Sequence, residues 1–90
     1  MAKRRYEFRW VPWNLDHATK YGVSILECEQ IVGAGRYREK GDGKYRAVGR
    51  GTGGRWVQVV FALTVDDEVF VIHARPLTDA EKRQERRRKP

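Results

Sequence analysis

The ninety residues predict an α+β fold: a small antiparallel sheet with two N-terminal helices packed on one face and a basic C-terminal helix. Three observations carry that reading. Helix signals gather before residue 36, strand signals fill residues 36–75, and Gly41-Asp42-Gly43 sits between two strand-like runs as a hairpin loop. Nothing divides the chain, so residues 1–90 form one domain, with a basic arm at 1–5 and a basic tail at 82–90.

Residues 5–11 alternate Tyr6, Phe8 and Trp10 with Arg5, Glu7 and Arg9, the period of a half-buried strand, and Pro12 ends it. Residues 13–20 read as a short helix that Asn14 caps and Gly22 closes in a left-handed turn. Ser24 and Glu27 have capping-box spacing and open a second helix, whose apolar side is Ile25, Leu26, Cys28, Ile31 and Val32. Gly33 and Gly35 end it.

Strands follow at 36–40 and 44–50. Residues 55–64 are apolar on both faces and so form a central strand, and Asp66-Asp67-Glu68 is a turn. In 69–75, strict alternation puts Phe70, Ile72 and Ala74 on one face and Val69, Val71, His73 and Arg75 on the other. After Pro76, a second capping box, Thr78 to Glu81, opens the basic helix.

The net charge of +7 is segregated. Both ends are strongly basic, residues 36–55 carry +5, and the remaining body is acidic. Basic arms and one basic segment on an acidic body suit a polyanion, because cations set along phosphates release condensed counterions. No run is long and apolar enough for a membrane span, and the start has no apolar signal region, so a cytoplasmic protein is expected. The single cysteine, Cys28, excludes an intrachain disulfide and argues against a structural zinc cluster.

The motifs narrow the chemistry further. Gly49, Gly51 and Gly54 match the letters of the dinucleotide fingerprint, but a strand follows where that motif needs a helix N-terminus. His17, His73 and Cys28 lack ligand spacing, so no metal and no cofactor is expected. The hairpin is more informative. With Lys40 opposite Lys44, Arg38 faces Arg46 and Arg36 faces Val48, so Arg36, Arg38, Lys40, Lys44 and Arg46 share one face. Such a stripe either protects an edge or grips an anion. Arg55 is a further candidate contact to RNA.

His73 and Arg75 lie two apart on one strand face. A neighbouring arginine disfavours imidazolium, leaving the ring ready to accept a proton. RNA cleavage without metal needs a base for the 2′-hydroxyl and a cation for charge building on the phosphorus. His73, Arg75 and Arg46 supply that inventory and are the catalytic candidates. The structural alternative is a half-buried histidine with Arg75 bridging to Glu81. His17, Tyr21 and Tyr45 are candidates to line a pocket, or else packing residues.

Several runs, in order, resemble the BrnT family, the toxin half of a bacterial type II toxin–antitoxin pair. They are Phe8-Arg9-Trp10 with Asn14 to His17, Gly22-Val23-Ser24 with Glu27 and Glu29, and Lys44 to Gly49. Val59-Val60-Phe61, then Val71 to Arg75 with Thr78 and Glu81-Lys82-Arg83, continue the likeness across about residues 8–86. The resemblance implies a RelE-like fold, a metal-independent endoribonuclease that arrests translation, and RNA as substrate. It also implies a cognate BrnA-like antitoxin, with DNA bound only through the toxin–antitoxin complex. Tyr21 stands where the family usually has histidine, and His73 where it often has serine, so His73 is the candidate to fill the histidine's role. The alternative is a non-catalytic module of the same fold that binds nucleic acid or antitoxin.

Overall fold

The computed structural model describes residues 6–88. The expected arm at 1–5 and the end of the tail at 89–90 lie outside them. The elements are α1 (Pro12–Thr19), α2 (Ile25–Gly33), β1 (Tyr37–Gly41), β2 (Lys44–Arg50), β3 (Trp56–Leu63), β4 (Val69–Pro76) and α3 (Asp79–Arg88). The four strands form one antiparallel sheet in the order β1-β2-β3-β4. The α+β reading therefore holds.

The alternating run at the start is not a strand of this sheet. Among the described residues it meets β4 at a single parallel bridge, Phe8 to Val69, held by Arg9 N–H to the Val69 carbonyl and Val69 N–H to the Glu7 carbonyl. Tyr6, Phe8 and Trp10 still pack against the core, which is what their spacing encoded. Pro12 supplies the first helical residue of α1, where its missing N–H costs nothing. Asn14 therefore acts from the third helical position rather than as the N-cap. Its side chain accepts from Val11 N–H at 2.7 Å and donates to the Arg9 carbonyl at 2.9 Å, so this fully buried amide is satisfied at both ends.

Both capping boxes form. Ser24 accepts from Glu27 N–H while Glu27 accepts from Ser24 N–H, and Thr78 and Glu81 repeat the exchange at the head of α3. The α2 face that enters the core is Cys28, Ile31 and Val32, with Glu27 buried beside them, whereas Leu26 points outward at 59% exposure. These side chains meet Ala47, Val57, Val59, Phe61, Val71 and Ala74 from one side of the sheet. Among the described residues no helix covers the opposite side in that way. Along the β4 edge, α1 places Trp13 against Phe70.

Two irregularities set which residues reach the open side. In the β1–β2 hairpin Gly41, not Lys40, pairs with Lys44. The turn is the two-residue Asp42-Gly43, both at positive φ, as a type I′ hairpin requires. Lys40 is thus an extra residue in β1, and Arg36 precedes the strand. In β4, Val60 pairs with His73 but Phe61 pairs with Val71, so Ile72 is extra. Strict alternation therefore fails: Val69, Val71 and Ala74 are buried, while His73 and Arg75 lie on the open side with Phe70. The physical reason is desolvation. A regular strand would thrust His73 and Arg75 under α2 and expose Ala74, and burying ionisable groups costs more than one bulge.

Candidate nucleic-acid interface

The register assembles the open face row by row. Arg38 pairs with Arg46, Arg46 with Val60, and Val60 with His73, so one row runs from the hairpin to β4. At the usual strand spacing of about 4.8 Å, His73 lies roughly 10 Å from Arg46 and 14 Å from Arg38. The next row holds Val48, Gln58 and Arg75, and beyond it Arg50 faces Trp56. Arg36, Arg38, Arg46 and Arg50 line an open hollow of about 880 Å³ together with Trp56, and Glu85 of α3 also borders it.

These cations are differently engaged. Among the described residues the side chains of Arg36, Arg38, Lys40 and Lys44 form no hydrogen bond or ion pair, so they face solvent ready for an anion. Arg46 gives only its Nε–H, to Gln58 Oε1 at 2.7 Å. Gln58 is buried beneath it, and the contact holds the guanidinium across the sheet. Arg75 is committed: its fork binds Glu81 through two bonds of 2.8 Å and reaches the Pro76 carbonyl. That is the structural alternative foreseen for this pair, and a phosphate would have to compete with Glu81 for it. Arg55 is committed as well, to both carboxylate oxygens of Glu27 and to the Gly22 carbonyl. Its place is the seam between α2 and the β2–β3 loop, away from the Arg38–His73 row.

His73 is half-buried, with the edge of Tyr21 against its ring at a centroid distance of 5.5 Å. Burial first, then the charges of Arg75, Lys40 and Lys20, push its pKa below the ordinary histidine value. These effects disfavour imidazolium and favour the neutral ring, which can accept a proton. Tyr21, His17 and Tyr45 do not share a pocket. His17 stacks on Trp13 at 4.0 Å and its Nδ1 bonds the Trp13 carbonyl. Tyr45 lies on the other side of the sheet, stacked on Phe61.

The sequence reading passed over Gln58, Arg50 and Trp56. Arg50 follows Arg46 and Val48 at period two, so the alternation was there to read. Trp56 was absorbed into an apolar strand. Among the described residues, no three His, Cys, Asp or Glu side chains gather to hold a metal, and no helix is long and apolar enough to cross a membrane. No family model, curated protein or solved structure matches the chain. The face itself must carry the functional reading.

Proposed function

We propose that this chain is a ribonuclease toxin of the BrnT kind, cutting RNA across the open face of its sheet without metal. The observation that supports this most is the row Arg38–Arg46–Val60–His73, which sets two arginines and a proton acceptor over one stretch of surface. The arginines hold the phosphates on either side of the scissile bond. Neutral His73 takes the proton of the 2′-hydroxyl, whose oxygen attacks phosphorus as the bond to the 5′-oxygen breaks. Arg46 faces the charge that builds on the non-bridging oxygens. The 5′-oxygen leaves with a proton from solvent, giving a 2′,3′-cyclic phosphate and a 5′-hydroxyl. Arg75, held by Glu81, acts by disfavouring imidazolium rather than by touching the phosphate.

Purified protein incubated with RNA in excess chelator should yield fragments with those termini. His73→Ala should abolish the fragments and keep binding. Intact RNA at micromolar protein would refute the proposal.

One observation favours a second reading. The engagement of Arg75 by Glu81 ties up the arginine that stands two residues from His73 on the same strand, as a binding module without catalysis would show. That reading predicts salt-sensitive binding without products. In either case the neutralising partner is an acidic antitoxin segment laid over Arg38 and Arg46, and charge reversal at both positions should weaken the complex. DNA would then be met through that complex, and the expected setting is the bacterial cytoplasm.

A further inference from the structure

The hollow beside the catalytic row contains an aromatic side chain that the cleavage scheme does not use. Trp56 opens β3 on the open face, directly opposite Arg50 of β2. It is only half-buried, although tryptophan in so small a domain has every reason to be covered. What lies over it is a cation: the Arg50 guanidinium carbon stands 4.9 Å from the ring centroid. Arg50 is exposed, and the one hydrogen bond of its side chain to another described residue is a 3.5 Å contact to the Gly54 carbonyl, at the limit for such a bond. The guanidinium is thus held on the ring weakly and can leave it. Arg36, Arg38 and Arg46 line the same hollow.

An indole with a displaceable cation over it, beside further arginines, has the parts of a site for an unpaired nucleobase. The ring offers a π-face to the base, and the arginines offer charge to the phosphates on either side. A duplex cannot use the ring, because its bases are already stacked on one another. The arginines alone would bind duplex and single strand with little distinction.

We propose that Trp56 is the base-stacking residue of the open face. One unpaired base of a single-stranded nucleic acid lies on the indole, and Arg50 moves from the ring to the adjoining phosphate. The inference rests on the reading of this face as RNA-binding. It adds the substrate class, single-stranded rather than duplex, and the residue that selects it. It does not require that cleavage occur.

The test uses single-stranded DNA of about eight nucleotides, within the usual span of such sites. DNA lacks the 2′-hydroxyl, so binding is read without cutting. Its affinity for the full chain is compared, by fluorescence anisotropy, with that of a strand of equal length lacking its bases. The base-bearing strand should bind roughly 5- to 150-fold tighter, the range for one stacked base. Trp56→Ala should erase that preference. Trp56→Phe, which retains a ring, should keep most of it, while Trp56→Leu, apolar without a π-face, should not. Should the alanine variant fail to fold, the leucine variant and the unmodified chain on the two strands decide the matter. Equal binding of the two strands, no binding of either, or a preference that survives Trp56→Leu would overturn the proposal. RNA left intact alongside a preserved base preference would instead count against the ribonuclease reading alone.

Discussion

Glu27→Ala should cost the fold about 3 kcal/mol, and the structure shows where the loss arises. Glu27 is 3% exposed. One carboxylate oxygen accepts from Ser24 N–H at 3.1 Å and from Arg55 Nη2 at 3.0 Å, and the other accepts from Arg55 Nε at 3.3 Å. These bonds to Arg55, with help from the Ser24 and Thr52 backbones, hold its pKa below the usual carboxylate value against the opposing effect of burial. Half a capping box contributes about 1 kcal/mol, and a hydrogen bond to a charged group about 1.5–3 kcal/mol. Breaking a buried pair costs about 3–5 kcal/mol, but Arg55 is 41% exposed and keeps the Gly22 carbonyl, so the lower end applies. For a domain of this size that loss lowers the melting temperature by roughly 12–24 °C.

The same carboxylate meets the Gly51 backbone so closely that a Cβ there would strike it. Gly51→Ala should therefore cost about 1–3 kcal/mol with Glu27 present and under about 0.5 kcal/mol in the Glu27→Ala background. Urea titrations of the four proteins, followed by circular dichroism, complete the cycle. A Glu27→Ala loss below about 1 kcal/mol, or an equal Gly51→Ala cost in both backgrounds, would refute the account.

Acid should weaken the fold through His73. Its pKa is lower folded than unfolded, so its contribution is whole above about pH 6.5 and is lost as pH falls through the depressed value. His73→Gln should flatten the urea midpoint between about pH 7 and 5. Glu81→Gln should cost about 1 kcal/mol, the scale of a well-formed surface pair, and should speed amide exchange in α3. Because Arg75 holds the Glu81 carboxyl at about 2, that stability is present above pH 4.5 and drains away below it. If the open face binds RNA as proposed, freeing Arg75 should also steepen the salt dependence of that binding by about one phosphate. Cys28 is fully buried, and burial together with Glu27 and Glu29 pushes its thiol up to about 12. An aromatic disulfide reagent should therefore label it only through opening of the fold, and faster in Glu27→Ala.

What could be read from the chain was local chemistry. Ser24 with Glu27 and Thr78 with Glu81 cap because the partners are three residues apart on one turn. Gly41-Asp42-Gly43 placed the hairpin closely enough that Arg38 opposite Arg46 was correct, even though the turn is shorter by one residue and Lys40 is displaced. Tertiary consequences were harder to see. The second use of Glu27 needs the β2–β3 loop brought onto α2, which no spacing within α2 reveals. The commitment of Arg55 follows from the same contact. Tyr6, Phe8 and Trp10 alternate like a strand, yet among the described residues only one bridge forms, since α1 departs at Pro12 and lies along the β4 edge. The faces of β4 were misassigned because period two has no way to register an added residue.

That added residue, Ile72, makes β4 unequally tolerant of changes in length. Loss of its codon would straighten the ribbon and leave the imidazole in line with Arg46, since His73 already opposes Val60. Gain of a codon beside it would restore regular pleating by carrying His73 one rung along, abreast of Gln58. Lineages descended from this gene can thus shorten the segment without moving His73, whereas lengthening it relocates that side chain.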